Sequence, residues 1–228
     1  MRGLPTWSKR RYAAAWRERA TAAGALTYVA IGDSAAQGLG ASTPWSGYVG
    51  LLAAAAETRA GAAVRVVNLS VSGAKARDVL DLQIPLVADL EPDVVTCAVG
   101  GNDVRRLDLA DFRETMTGIV EALPEHALIA DTPCFYEGRG EEKSRAAASV
   151  IRDILADRGR SPVELHRATE ARTREYWRGD FALDFFHPSD RGYTVWASAF
   201  EPLLLDRVDV VTKTTGGGAT APGVGGPT

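Results

Sequence analysis

The sequence predicts an α/β protein: a parallel sheet of about five strands covered by helices on both faces. Three observations predict it. Short apolar, β-branched runs recur at 27–31, 64–68, 93–99, 127–130 and 163–165. Helix-length stretches separate them, and parallel neighbours need such crossovers. The 228 residues are enough for one domain with a large core.

In chain order, residues 8–23 read as a helix with Tyr12 and Trp16 at i and i+4 and basic residues over much of the rest. The favoured reading is a surface helix packing two aromatics on the domain; contact with a membrane surface is the sharper alternative. Residues 1–26 are thus a basic N-terminal extension, and the main domain runs over 27–210. The first strand, 27–31, stops at Gly32, and Asp33 and Ser34 follow in a turn punctuated by Gly38 and Gly40. A helix over 45–59 leads to strand 64–68. Residues 74–90 read as a helix disturbed by Pro85, with Val79, Leu80, Leu82, Leu86, Val87 and Leu90 on its apolar side. Strand 93–99, a helix over 108–122, strand 127–130, a helix over 141–157 and strand 163–165 continue the rhythm. Helices at 168–177 and 189–207 close it, and the Gly/Pro/Ala/Thr-rich 211–228 reads as a disordered tail. Right-handed crossovers place the C-terminal ends of all strands on one rim.

The net charge of −3 gives no footprint for nucleic acid. Cys97 and Cys134 make no disulfide framework and read as buried free thiols, their pairing left open. No CxxC pair or histidine cluster suggests a metal, and no apolar run reaches the length of a membrane span. With no secretory signal in the basic N-terminus, the expected location is cytoplasmic.

Four places on the common rim carry chemistry: Ser34, the NLSVSG stretch ending at Gly73, GGND at 100–103, and DFFH at 184–187. A serine hydroxyl needs a base to attack an acyl carbon. His187 is the natural base; His126 falls on the opposite rim, and His166 has no carboxylate in a suitable loop. Asp184, three residues before His187, can reach its Nδ1. The same spacing also suits a helix N-cap, a role that Ser189 or Asp190 can fill instead. An oxyanion intermediate needs preorganised donors. The Ser34 N–H, the Gly73 N–H and the Asn102 amide are available. Residues 32–40 match neither GxGxxG nor GxxxxGK, which argues against a nucleotide, and the chain has no GxSxG elbow.

These blocks resemble the SGNH hydrolases, or GDSL esterases and lipases, over about 27–204. Gly32-Asp33-Ser34 resembles the family's first block, Gly73 the second, residues 100–103 the third and residues 184–188 the fifth. The looser departure is Ala35 where the family name expects leucine. The sequence looks most like bacterial, actinobacterial-style members. The resemblance implies a flavodoxin-like three-layer α/β/α fold, Ser34 as nucleophile, an Asp184–His187 pair completing a triad, and Ser34, Gly73 and Asn102 as oxyanion donors. It implies an esterase that needs no cofactor or metal and acts on a small-molecule ester; a monomer is the favoured state. An acyltransferase or thioesterase shares the same parts, and a catalytically silent binding module is the reading from another class. For the substrate pocket the expectation is Val104, Arg105, Phe135, Phe185 and Phe186, with 135–143 as a mobile lid; Arg105, Arg106 and Arg139 read equally as facing an anionic group or as solvated surface arginines. Trp45, Trp177 and Trp196 are expected to pack, away from the pocket.

Overall fold

The structure is a computed structural model describing residues 6–136, 138–172 and 179–216. Four parallel strands, β1 (Leu26–Gly32), β2 (Val64–Asn68), β3 (Val94–Ala98) and β4 (Leu128–Ile129), pair in the order β2-β1-β3-β4. Side chains alternate across a strand. Tyr28 and Ala30 of β1 therefore enter one core and Val29 and Ile31 the other. The first core is closed by α1 (Thr6–Ala20), α2 (Tyr48–Ala60) and α8 (Asp190–Gly216), through Trp16, Tyr48, Trp196 and Phe200. The second is closed by α5 (Leu109–Ala122), α6 (Gly138–Ala156) and the broken segment 76–90, through Phe112, Met116, Ile151 and Val79. The result is the three-layer α/β/α arrangement that the alternating pattern predicted.

The sheet has one strand fewer than expected. Val163 makes a single parallel bridge to Ala130, and Leu165 already opens α7 (Leu165–Glu170). The remainder of the helix expected at 168–177, and Trp177, lie outside the described residues from 173 onward. The final helix runs past 207 and through Pro202 to Gly216, so 211–216, expected as tail, are helical; 217–228 lie outside the described residues. Among the described residues, no helix is long and apolar enough to cross a membrane.

Segment 76–90 is interrupted as Pro85 suggested. It comprises α3 (Ala76–Asp78), a π-helical turn Val79–Gln83, α4 (Ile84–Val87) and a 3₁₀ turn Ala88–Leu90. The irregular path buries Val79 and Val87 but leaves Leu82 and Leu86 exposed.

Helix α1 turns Tyr12 and Trp16 inward. Tyr12 donates its hydroxyl to Ala41 O at 2.6 Å, and Trp16 Nε1 donates to Gln37 O at 3.0 Å. Both acceptors belong to the turn after Ser34, so α1 braces that turn. The turn also meets the other end of the chain. Tyr193 donates to Leu39 O at 2.6 Å. At Gly40 (φ +99°) a Cβ would stand 2.4 Å from Pro188 O and 2.6 Å from His187 Cβ, so only glycine permits this approach.

Candidate active site

Ser34 leaves β1 at the C-terminal rim, where open α/β sheets hold their ligands, and is 5% exposed. Its Oγ lies 3.0 Å from His187 Nε2. His187 Nδ1 lies 2.6 Å from Asp184 Oδ2. The other carboxylate oxygen, Oδ1, accepts the N–H groups of Phe186 and His187, each at 3.0 Å. This compact turn holds Phe185 at φ +53°, a left-handed conformation uncommon for an aromatic residue, and Asp184 offsets that strain with its three bonds. Burial alone would raise the Asp184 carboxyl. The bonds from His187 and the two backbone N–H groups outweigh it and hold the group below its ordinary value. The N-cap alternative is filled from elsewhere: Ser189 Oγ accepts from Gly192 N at 3.3 Å, at the start of α8.

The three expected oxyanion donors are tied to one another. Asn102 Nδ2 donates to Asp33 Oδ2 and to Ala74 O, both at 3.0 Å. It therefore bridges the residue before Ser34 and the residue after Gly73. Among the described residues, neither the Ser34 nor the Gly73 N–H has a hydrogen-bond partner. Asp33 Oδ1 accepts the Ala35 N–H at 2.9 Å. Burial pushes the Asp33 carboxyl up from 3.8 to about 7, against the pull of that N–H, with Asp103 adding a smaller push upward.

That shift has a direction for stability. The folded chain keeps a proton on Asp33 that the unfolded chain releases, so this contribution is present below pH 3.8 and is lost as pH rises through about 7. The unfolding free energy from urea titrations should decline across that window. Asp33→Asn should remove this share of the decline; an unchanged slope in the variant would place the linkage elsewhere.

A cavity of about 150 Å³ opens beside Ser34 and His187. Phe135, Phe185 and Phe186 line it as expected, joined by Tyr136, Phe181 and Trp196. Val104 and Arg105 do not line it. They sit in a 3₁₀ turn, Val104–Arg106, that buries Val104 and points Arg105 to solvent. Arg106 and Arg139 are also exposed and away from the cavity wall. Trp196, expected only to pack, contributes to the wall. The expected lid is largely helix: 138–143 begin α6, and Glu141 Oε2 accepts the N–H groups of Phe135 and Tyr136 at 2.7 and 3.2 Å. Residue 137 lies outside the described residues.

His166 does have a carboxylate, contrary to expectation. Its Nδ1 meets Thr132 O at 3.0 Å and its Nε2 meets Glu141 Oε1 at 3.1 Å. Cys134 joins them, the three ligand atoms lying within 4.8 Å of one another. This is the one trio with metal-ligand spacing among the described residues. Arg145 Nη2, 2.8 Å from the same Glu141 oxygen, already supplies positive charge there, so the trio reads as a hydrogen-bonded strut at the cavity wall. Burial pushes the Cys134 thiol up to about 12, which leaves it a poor nucleophile. Cys97 and Cys134 are both free and buried.

Fold and rim together define the class, a carboxylic ester hydrolase on a three-layer α/β/α scaffold. The profile of the GDSL-like Lipase/Acylhydrolase family matches residues 30–195, most of the chain, and the protein belongs to that family. Similar solved structures include an acetylxylan esterase from Geobacillus stearothermophilus, 22% identical over 79% of this chain and 94% of that one, with a TM-score of 0.64. A lipase/acylhydrolase from Enterococcus faecalis is 19% identical over 80% of this chain and 96% of its own, TM-score 0.64. An α/β hydrolase from the metagenome of Lake Arreo, Spain, is 24% identical over 80% and 96%, TM-score 0.64. At these identities the likeness speaks for the fold. No curated protein matches the sequence.

Proposed function

We propose that the protein hydrolyses small carboxylic esters through an acyl-enzyme on Ser34. The observation that carries this reading is the unbroken hydrogen-bonded line from Asp184 through His187 to Ser34 Oγ. Ser34 Oγ attacks the ester carbonyl while His187 Nε2 takes its proton. The tetrahedral oxyanion faces the Ser34 and Gly73 N–H groups, and one Asn102 N–H is shared between it and an existing acceptor. On collapse, the C–O bond breaks and the alcohol leaves with the proton from His187. Water then attacks the acyl-enzyme, giving its proton to His187, and the acid departs as Ser34 recovers its own.

The aromatic wall and the cavity volume favour a short acyl group. A pocket of about this size holds a molecule as large as benzene, so acyl chains up to about six carbons fit. No metal takes part in any step. A fluorophosphonate probe followed by peptide mapping should place the label on Ser34. A p-nitrophenyl ester series should show kcat/KM falling steeply beyond about six acyl carbons. A label mapped to another serine would overturn the nucleophile assignment, and a flat chain-length profile would overturn the acyl-pocket reading.

A further inference from the structure

Strand β1 is paired on both sides, though not equally far. Towards β3 the register holds to Gly32↔Ala98, whereas towards β2 it stops at Ala30↔Asn68. Just beyond that point, Leu69 N donates to Ala30 O at 2.8 Å, and β2 gives way to the loop carrying Gly73. Backbone polar groups two residues apart on a strand face the same neighbour. The N–H of Gly32 therefore faces the side that β2 has left.

Gln83 occupies that side. Its Oε1 accepts from Gly32 N at 2.9 Å, and its Nε2 donates to Gly32 O at 2.8 Å. The residue is 2% exposed. Gly32 O also accepts from Val71 N, at 3.2 Å. One carboxamide thus does the work of a strand residue at the last position of β1. The π-helical turn Val79–Gln83 delivers it: Ile84 N–H bonds back to Val79 O, and Pro85 has no N–H with which to continue a regular ladder. Such turns are rare and recur at functional sites.

We infer that Gln83 is a positioning residue for the nucleophile, a reading that rests on Ser34 being that nucleophile. Gly32 lies two residues before Ser34, and Gln83 lies in the segment 76–90 into which the Gly73 loop runs, ten residues after Gly73. The carboxamide fastens the segment that follows one free N–H to the strand end that leads to the other. It sets the spacing of two donors that bind charge only when the tetrahedral intermediate forms. Losing it displaces them without touching the ester's ground-state contacts.

The test is Gln83→Leu, which removes both bonds, beside Gln83→Glu, which keeps an acceptor for Gly32 N–H and loses the donor. Rates are taken per active site, counted by burst titration. Gln83→Leu should lower kcat roughly ten- to hundredfold, the scale of a displacement of about 1 Å at a reacting centre. KM should stay within about twofold, because only transition-state contacts are lost. Affinity for a boronic acid, which mimics the tetrahedral state, should weaken by the same factor as kcat. Gln83→Glu should fall between wild type and Gln83→Leu. If Gln83→Leu does not fold, the glutamate variant decides. A lower melting temperature with wild-type kcat per site and unchanged boronate affinity makes Gln83 purely structural and overturns the inference. Failure of the Ser34 reading is separately visible, as activity or probe labelling that survives Ser34→Ala.

Discussion

Ser34→Ala is expected to lower kcat on a short p-nitrophenyl ester by about 10⁶-fold, the scale found when a catalytic serine is removed from a triad. Only the Oγ is lost. His187 keeps its 2.6 Å bond to Asp184, and the buried turn around residue 34 keeps its backbone bonds, including Leu39 N to Ser34 O at 3.0 Å. The fold should therefore persist, with a melting temperature close to wild type, and the loss should be chemical. The residual rate should exceed that of water by about 10³-fold, because the N–H donors proposed for the oxyanion remain. Covalent labelling by a fluorophosphonate should disappear with the hydroxyl. Ser70 and Ser72 are the serines nearest in sequence to Gly73, and Ser70 already spends its hydroxyl on Asn68 Oδ1. A variant that still labels stoichiometrically would move the nucleophile to one of them.

Residues at strand ends on the common rim, and pairs close in the chain, were legible; partners set by pairing register or by helix packing were not. The strand leading to Ser34 announces itself by an apolar β-branched run ending in glycine, and β1 falls within a residue of its expected bounds. Asp184 and His187 were readable because only two residues separate them, and a single turn suffices to bring them together. Gln83 carried no such signal. Its value depends on where β2 parts from β1, a fact of pairing register that one strand's sequence does not contain. The Cys134–Glu141–His166 trio was invisible for the same reason, since it joins a loop, α6 and α7. Val104 and Arg105 were expected at the cavity because they follow Asn102, but a 3₁₀ turn sends one inward and the other to solvent. The 135–143 stretch looked like a lid by composition. Glu141, in the first turn of α6, instead gathers two backbone N–H groups from the preceding loop and holds it against the helix start.

Asp184→Asn tests the other end of the catalytic line. The change is nearly isosteric, and its consequence depends on which atoms face which. The amide oxygen can keep the place of Oδ1, accepting the Phe186 and His187 N–H groups that close the turn at 3.0 Å each. The amide NH₂ then faces His187 Nδ1, where a carboxylate oxygen had accepted the Nδ1–H hydrogen bond at 2.6 Å. A donor there forces Nδ1 to accept, which places the ring proton on Nε2, 3.0 Å from Ser34 Oγ. A protonated Nε2 cannot take the serine's proton. The expected fall in kcat is about 10⁴-fold, as for the same change in a serine-protease triad. KM and the melting temperature should change little, because the turn and the cavity wall keep their bonds. Asp184→Ala should differ in the second respect. It also strips the acceptor from two backbone N–H groups beside the left-handed Phe185, so the melting temperature should fall along with kcat. If the asparagine variant keeps near-normal kcat, the carboxylate has only a structural role and His187 takes its orientation from elsewhere.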